Sequence, residues 1–120
     1  MNGPFARLRC KQMRINSDDA PVELTPHGNP KRVLLRSGIL PKVTQVAVGE
    51  FTELMQTDLH SHPTMYEIYF VLEGEAIYRI GDEEIGVRPG DFFFVPPATI
   101  HNQTVTVAPH RIFYWGIATD

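Results

Sequence analysis

His60-Ser61-His62-Pro63-Thr64-Met65-Tyr66-Glu67 holds most of the information in this chain, with a distant complement in Pro96-Pro97-Ala98-Thr99-Ile100-His101. Histidines two apart on an extended chain project to the same side, because strand side chains alternate faces. Two imidazoles spaced roughly 6–7 Å along a strand can converge on one small cation. Glu67 follows His62 at an odd offset, which puts it on the opposite face of an unbroken strand. Pro63 resolves the conflict: it lacks an N–H, interrupts the ladder and lets the face parity reset. With His101 as fourth donor, the pattern reads as a His3Glu metal centre inside a β-barrel.

Bulk properties bound the reading around this site. A chain of 120 residues, 42% hydrophobic and 21% charged, fits one globular domain with one core. A net charge of −3 weighs against a protein that binds nucleic-acid phosphates. The basic cluster Arg7, Arg9, Lys11 and Arg14 reads as a solvated arm. Cys10 is the single cysteine and forms no internal disulfide, which fits a reducing compartment. No secretory apolar region follows Met1, and no apolar run approaches the roughly 20 residues of a membrane helix. A cytoplasmic location with no nucleic-acid or membrane partner is therefore expected.

Along the chain, short strand patterns alternate with turn signals. Residues 1–30 read as an N-terminal arm followed by an ordered loop, Pro21 to Pro30, in which His27 is a polar surface residue. The barrel domain is expected over residues 31–120. Lys31–Arg36 and the β-branched run Val43–Val48 are expected strands. Residues 50–59 show helix-like apolar spacing, but Thr52, Thr57 and the histidine pair favour an extended chain. Ile68–Leu72 and Phe92–Val95 read as strands covered on both faces. Turns are expected at Glu73-Gly74, Gly81-Asp82 and Pro89-Gly90-Asp91. Gln103, Val105 and Val107 share the face of His101, and Ile112–Ile117 closes the sheet. Many short strands without a helix of ordinary length indicate an all-β sandwich or small barrel.

The spacing of His60, His62, Glu67 and Gly74 resembles the first motif of the cupin family. Gly90-Asp91, Pro96 and His101 resemble its second motif. Leu54, Ala98 and Val105 depart from the family pattern, at turn and packing positions rather than at ligands. The resemblance implies a double-stranded β-helix, the jelly-roll barrel, in a single cupin domain that forms a homodimer. Arm residues and Trp115 are candidates for the contact between copies.

Three neutral imidazoles and one carboxylate suit one divalent transition metal ion: iron, manganese, nickel, copper or zinc. Four protein ligands on an octahedral ion leave two positions for a small-molecule substrate. If Glu67 points inward, so does Tyr69; Tyr78 is the inward residue of its strand and Gln103 flanks His101. Glu67, Tyr69 and Tyr78 are thus the expected proton-handling groups, and Gln103 the expected binding amide. Glu67 has an alternative partner in Arg79, which would leave a three-histidine site. His110 reads as a surface residue and Phe92-Phe93-Phe94 as core rather than an aromatic-substrate box. No arginine falls on the site face, so a small, fairly apolar or aromatic molecule bearing chelating oxygens is expected. Two function classes follow. One is a metal-dependent oxidoreductase, dioxygenase-like, with isomerase or decarboxylase chemistry as variants. The other is a non-catalytic ligand-binding or sensing module.

Overall fold

The computed structural model describes residues 14–120, so Arg7, Arg9, Lys11 and Cys10 lie outside the described residues. A short 3-10 turn, Ser17–Asp19, precedes seven strands. They are β1 (Val22–Leu24), β2 (Pro30–Leu35), β3 (Val46–Phe51), β4 (Met65–Ile80), β5 (Glu83–Val87), β6 (Phe92–Val95) and β7 (His101–Ala118). Their order is β1-β2-β3-β7-β4-β5, with β6 on β4, and every pairing is antiparallel.

The two long strands organise the barrel. β4 pairs with β7 from Met65↔Ala118 to Ile80↔His101, and the register slips three times between Val71 and Ala76. Those bulges bend both strands, so each contributes to two sheets of the jelly roll. One half joins β1, β2, β3 and β6 to residues 65–71 and 112–118; the other joins β5 to residues 76–80 and 101–105. Between the halves lies the core of Phe51, Tyr69, Val71, Tyr78, Phe93 and Ile112. Tyr69 stacks on Phe93 at 4.9 Å and Tyr78 meets Phe93 at 4.6 Å. Burying side chains of this size contributes about 1.5–3 kcal/mol each.

The jelly-roll class stands as read from sequence, but several local expectations are corrected. Glu73-Gly74 is a bulge inside one continuous strand rather than a turn, with Gly74 at φ +72°. The turns at Gly81 and Gly90 are present, both glycines having positive φ. β3 begins at Val46 rather than Val43, which makes only an isolated bridge to Ile117. The proline-rich loop contains β1, which pairs with β2. Ala98 takes a left-handed φ of 58°, where a glycine avoids the Cβ clash. Ile68–Leu72 and Phe92–Val95 are not covered on both faces: Phe70, Leu72, Phe92 and Phe94 are exposed on the outer face, and only Phe93 of the triplet is buried. Among the described residues no helix is long and apolar enough to cross a membrane.

Candidate metal centre

The loop between β3 and β4 carries two of the candidate ligands. It is tied down at Gln56↔Thr104 and His60↔His101, isolated bridges to the start of β7. Around Thr57 the tie is polar and buried. The Thr57 hydroxyl donates to Gln103 Oε1 (3.0 Å), accepts from the Gln103 N–H (3.1 Å), and Asn102 Nδ2 donates to the Thr57 carbonyl (3.1 Å). Beyond His62 the chain turns at Pro63-Thr64 and enters β4, where Glu67 faces inward with Tyr69 and Val71. Thus the parity change expected at Pro63 is where the chain leaves one strand direction for another.

His60, His62, Glu67 and His101 each offer one donor atom within 4.8 Å of all the others. The Nε2 atoms of His62 and His101 converge on Glu67 Oε1 at 2.9 and 3.1 Å. Backbone carbonyls fix two of the rings. His60 Nδ1–H donates to the Asp58 carbonyl (2.9 Å) and His101 Nδ1–H to the Thr99 carbonyl (2.8 Å). Each Nε2 is then left as a lone pair, the tautomer a metal requires. A lone pair on His101 Nε2 facing a carboxylate oxygen is stable only with a proton or cation between them. The donor set therefore fits a metal ion, and Arg79, which donates to the Gly81 carbonyl, takes no part.

Electrostatics agree with the geometry. Burial opposes ionisation of Glu67, but where a proton rather than a cation bridges it to His101 and His62, their hydrogen bonds outweigh burial and hold the carboxyl at about 2. His62 is raised by its hydrogen bond to Glu67, whereas burial lowers His60. Burial chiefly, and then the Glu67 charge, pushes Tyr69 well up and Tyr114 to about 12.

The cluster opens into a cavity of about 450 Å³ walled by Phe51, Tyr69, Ile112 and Tyr114, with Gln103 on its rim of polar groups. Tyr78 is placed elsewhere: it is buried, and its hydroxyl donates to His110 Nε2 at 3.0 Å instead of facing the cavity. His110 is fully buried rather than on the surface, its Nδ1–H donating to the Glu73 carbonyl (3.1 Å). His27 is corrected as well. Its ring stands 4.8 Å from that of His60 and it lines the cavity. Only a Thr-Pro-His-Gly turn was visible in the sequence, and nothing local says that a β1–β2 hairpin lays it over the site. Tyr114 had a weak signal, since it shares the period-two face of Ile112 and Gly116.

Comparison with known proteins agrees with this architecture. Residues 43–111 match the family model described as "Cupin domain". A protein of Methanocaldococcus jannaschii, MJ1618, is 32% identical over 95 residues, which is 78% of this chain and 76% of that protein. A 3-hydroxyanthranilate 3,4-dioxygenase of Shewanella woodyi is 31% identical over 75 residues, covering 52% of this chain and 39% of the enzyme. In structure, a predicted oxalate decarboxylase from Thermotoga maritima superposes with a TM-score of 0.79 at 19% identity, covering 88% of this chain and 99% of that one. With more than half of its length matched by the family model, and with the donor cluster at the mouth of the jelly roll, the chain belongs to the cupin family.

Proposed function

We propose that this cupin is a metal-dependent enzyme of the dioxygenase type acting on a small, fairly apolar or aromatic molecule that bears chelating oxygens. The observation that carries the reading is the convergence of four donors on one point beside a cavity with aromatic walls. His60, His62, Glu67 and His101 hold the metal, which is iron, manganese, nickel, copper or zinc. When bound, such an ion supplies Lewis acidity and, if redox-active, electron transfer. The rest falls to the chain. Phe51, Ile112 and the faces of Tyr69 and Tyr114 orient an apolar substrate and exclude water. Gln103 has its carbonyl oxygen engaged by Thr57, which leaves the amide N–H2 as a donor toward a substrate oxygen. The Tyr69 hydroxyl, raised well above its ordinary value, acts as a hydrogen-bond donor rather than a base. A dioxygenase among the sequence relatives supports the reaction class, although the match spans about two-fifths of that enzyme.

The alternative is a module in which the same cavity and donor cluster hold a ligand without turning it over. Elemental analysis of protein purified without chelator tests the common ground. Near one equivalent of transition metal per chain, lost in a His60→Ala/His101→Ala double variant, is expected; no metal even after reconstitution refutes the centre. Product formation under oxygen separates enzyme from module.

The exposed outer face of β6, β4 and β7 supports a homodimer, and the lone Cys10 fits the cytoplasm.

A further inference from the structure

Lys31 lines the same cavity, from the inward face of β2. It is half-buried and makes no ion pair among the described residues. Its cross-strand neighbour Glu23 is engaged by Arg36 at 2.8 Å. On the other side, Lys31 stands in register with Gly49, which has no side chain. A Cβ at Gly49 would lie 3.2 Å from Tyr114 Cε1, so the glycine keeps space open between β2 and the cavity wall. Through Gly49 and Ile112, Lys31 is in register with Val71. It therefore lies three strands across and four residues along from Glu67, roughly 20 Å on the sheet, and the barrel's curvature brings both to the same cavity. Hydroxyls and amides of Ser37, Thr44 and Gln45 line the cavity at the Glu67 end, since the Thr44 N–H donates to the Gly116 carbonyl and Gly116 is in register with Glu67.

We propose that Lys31 is the anion-binding residue of the cavity and that the ligand is a small carboxylate. Its carboxylate meets the Lys31 ammonium while its other oxygens reach the His/Glu cluster, the latter contact resting on the function proposed above. An ammonium that lines the cavity and makes no close ion pair among the described residues can meet an incoming anion through a charge-assisted hydrogen bond. Metal loading sharpens the preference. A divalent ion beside Glu67 leaves a net charge of +1, and Lys31 brings the cavity to +2. One lysine with no arginine fork beside it suits a carboxylate better than a phosphate ester, whose extra oxygens favour bidentate pairing.

The test is calorimetric titration of the full-length protein, as purified, with two charged and neutral pairs: benzoate against benzamide, and pentanoate against pentanamide. Phenyl phosphate serves as a competitor. Wild type is expected to prefer the carboxylate in at least one pair. Lys31→Met should weaken that carboxylate about tenfold and leave its amide unchanged, and Lys31→Arg should restore most of the difference. Thermal unfolding of both variants excludes a folding defect. No carboxylate preference in either pair, equal loss for acid and amide in Lys31→Met, or tighter binding of phenyl phosphate would overturn the proposal. Metal content is measured on the same samples. Lys31-dependent binding without metal leaves this inference standing and removes the metal centre; metal without Lys31 dependence does the reverse.

Discussion

His60 and His101 are backbone partners as well as candidate ligands. Each N–H donates to the other's carbonyl, at 3.0 and 2.8 Å, and their rings sit 4.1 Å apart. Because this bridge forms on folding, the two imidazoles converge before any metal arrives, and little ordering is left for binding to impose.

Removing either ring should therefore cost metal affinity directly. His60→Ala and His101→Ala are each expected to weaken binding by more than about a hundredfold, beyond what loss of an outer partner costs. His60 is half-buried, so its variant should fold normally; His101 is 1% exposed and its truncation should also cost roughly 2 kcal/mol. His27→Ala should retain metal, since its ring lies outside the four-donor set. Chelator competition and thermal unfolding check all three.

Gly74 gives a second expectation. At φ +72° a side chain is strained, and an added Cβ would collide with the Pro109 carbonyl oxygen and lie 2.7 Å from His110 Cα. Gly74→Ala is expected to destabilise by more than about 3 kcal/mol, because the obstructing atoms are backbone and cannot rotate away. At Gly86 nothing lies within 4 Å, so Gly86→Ala should stay within about 0.5 kcal/mol. Denaturant titrations of the pair test whether the bulge, rather than glycine content, is what matters.

Gly74 also shows where sequence reading succeeds and where it stops. Its spacing from Glu67 was legible, as were His60, His62 and His101, because metal ligation imposes residue type and short-range parity. That Gly74 sits in a bulge and not a turn was not legible, since both need the same positive φ. His27, Lys31 and His110 were missed for a shared reason. Each owes its role to residues far away in sequence: the His60 loop for His27, the cavity wall on β4 and β7 for Lys31, and the β4 bulge for His110. Apolar runs misled in the opposite direction. Phe92, Phe94 and Phe70 read as buried because hydrophobicity does not say whether a single chain or a second copy covers them.

That outer face supports the third prediction. Phe70 is in register with Phe92 and Phe113, Ile68 with Phe94 and Trp115, and Phe113 and Trp115 rings lie 5.3 Å apart. A contiguous apolar face of this kind is characteristic of an interface. Wild type is expected to sediment as a dimer, and Phe94→Glu, placing a charge on the exposed β6 side of this face, as a monomer with the same strand content by circular dichroism. A monomeric wild type at tens of micromolar would refute the homodimer.

The buried Tyr78–His110 pair yields a pH prediction. With Nδ1–H given to Glu73, His110 Nε2 accepts from the Tyr78 hydroxyl, and both side chains are no more than 1% exposed. Burial lowers the His110 pKa below its ordinary 6.5, so the folded state binds this proton less readily than the unfolded chain does. Its contribution to stability is fully present above pH 6.5 and is lost as pH falls toward the depressed folded value. His27 and His60 act in the same direction and His62 in the opposite one, so the His110 share must be isolated by mutation. Tyr78→Phe strands a buried acceptor and is expected to cost about 1–3 kcal/mol at pH 7. The Tyr78→Phe/His110→Phe double variant removes both polar groups and should cost less than the two single variants added together. In metal-free protein, unfolding free energies between pH 7 and pH 5 should fall less steeply for the double variant than for wild type. Equal slopes would mean that His110 keeps its proton equilibrium unchanged on folding, and that the buried pair serves packing alone.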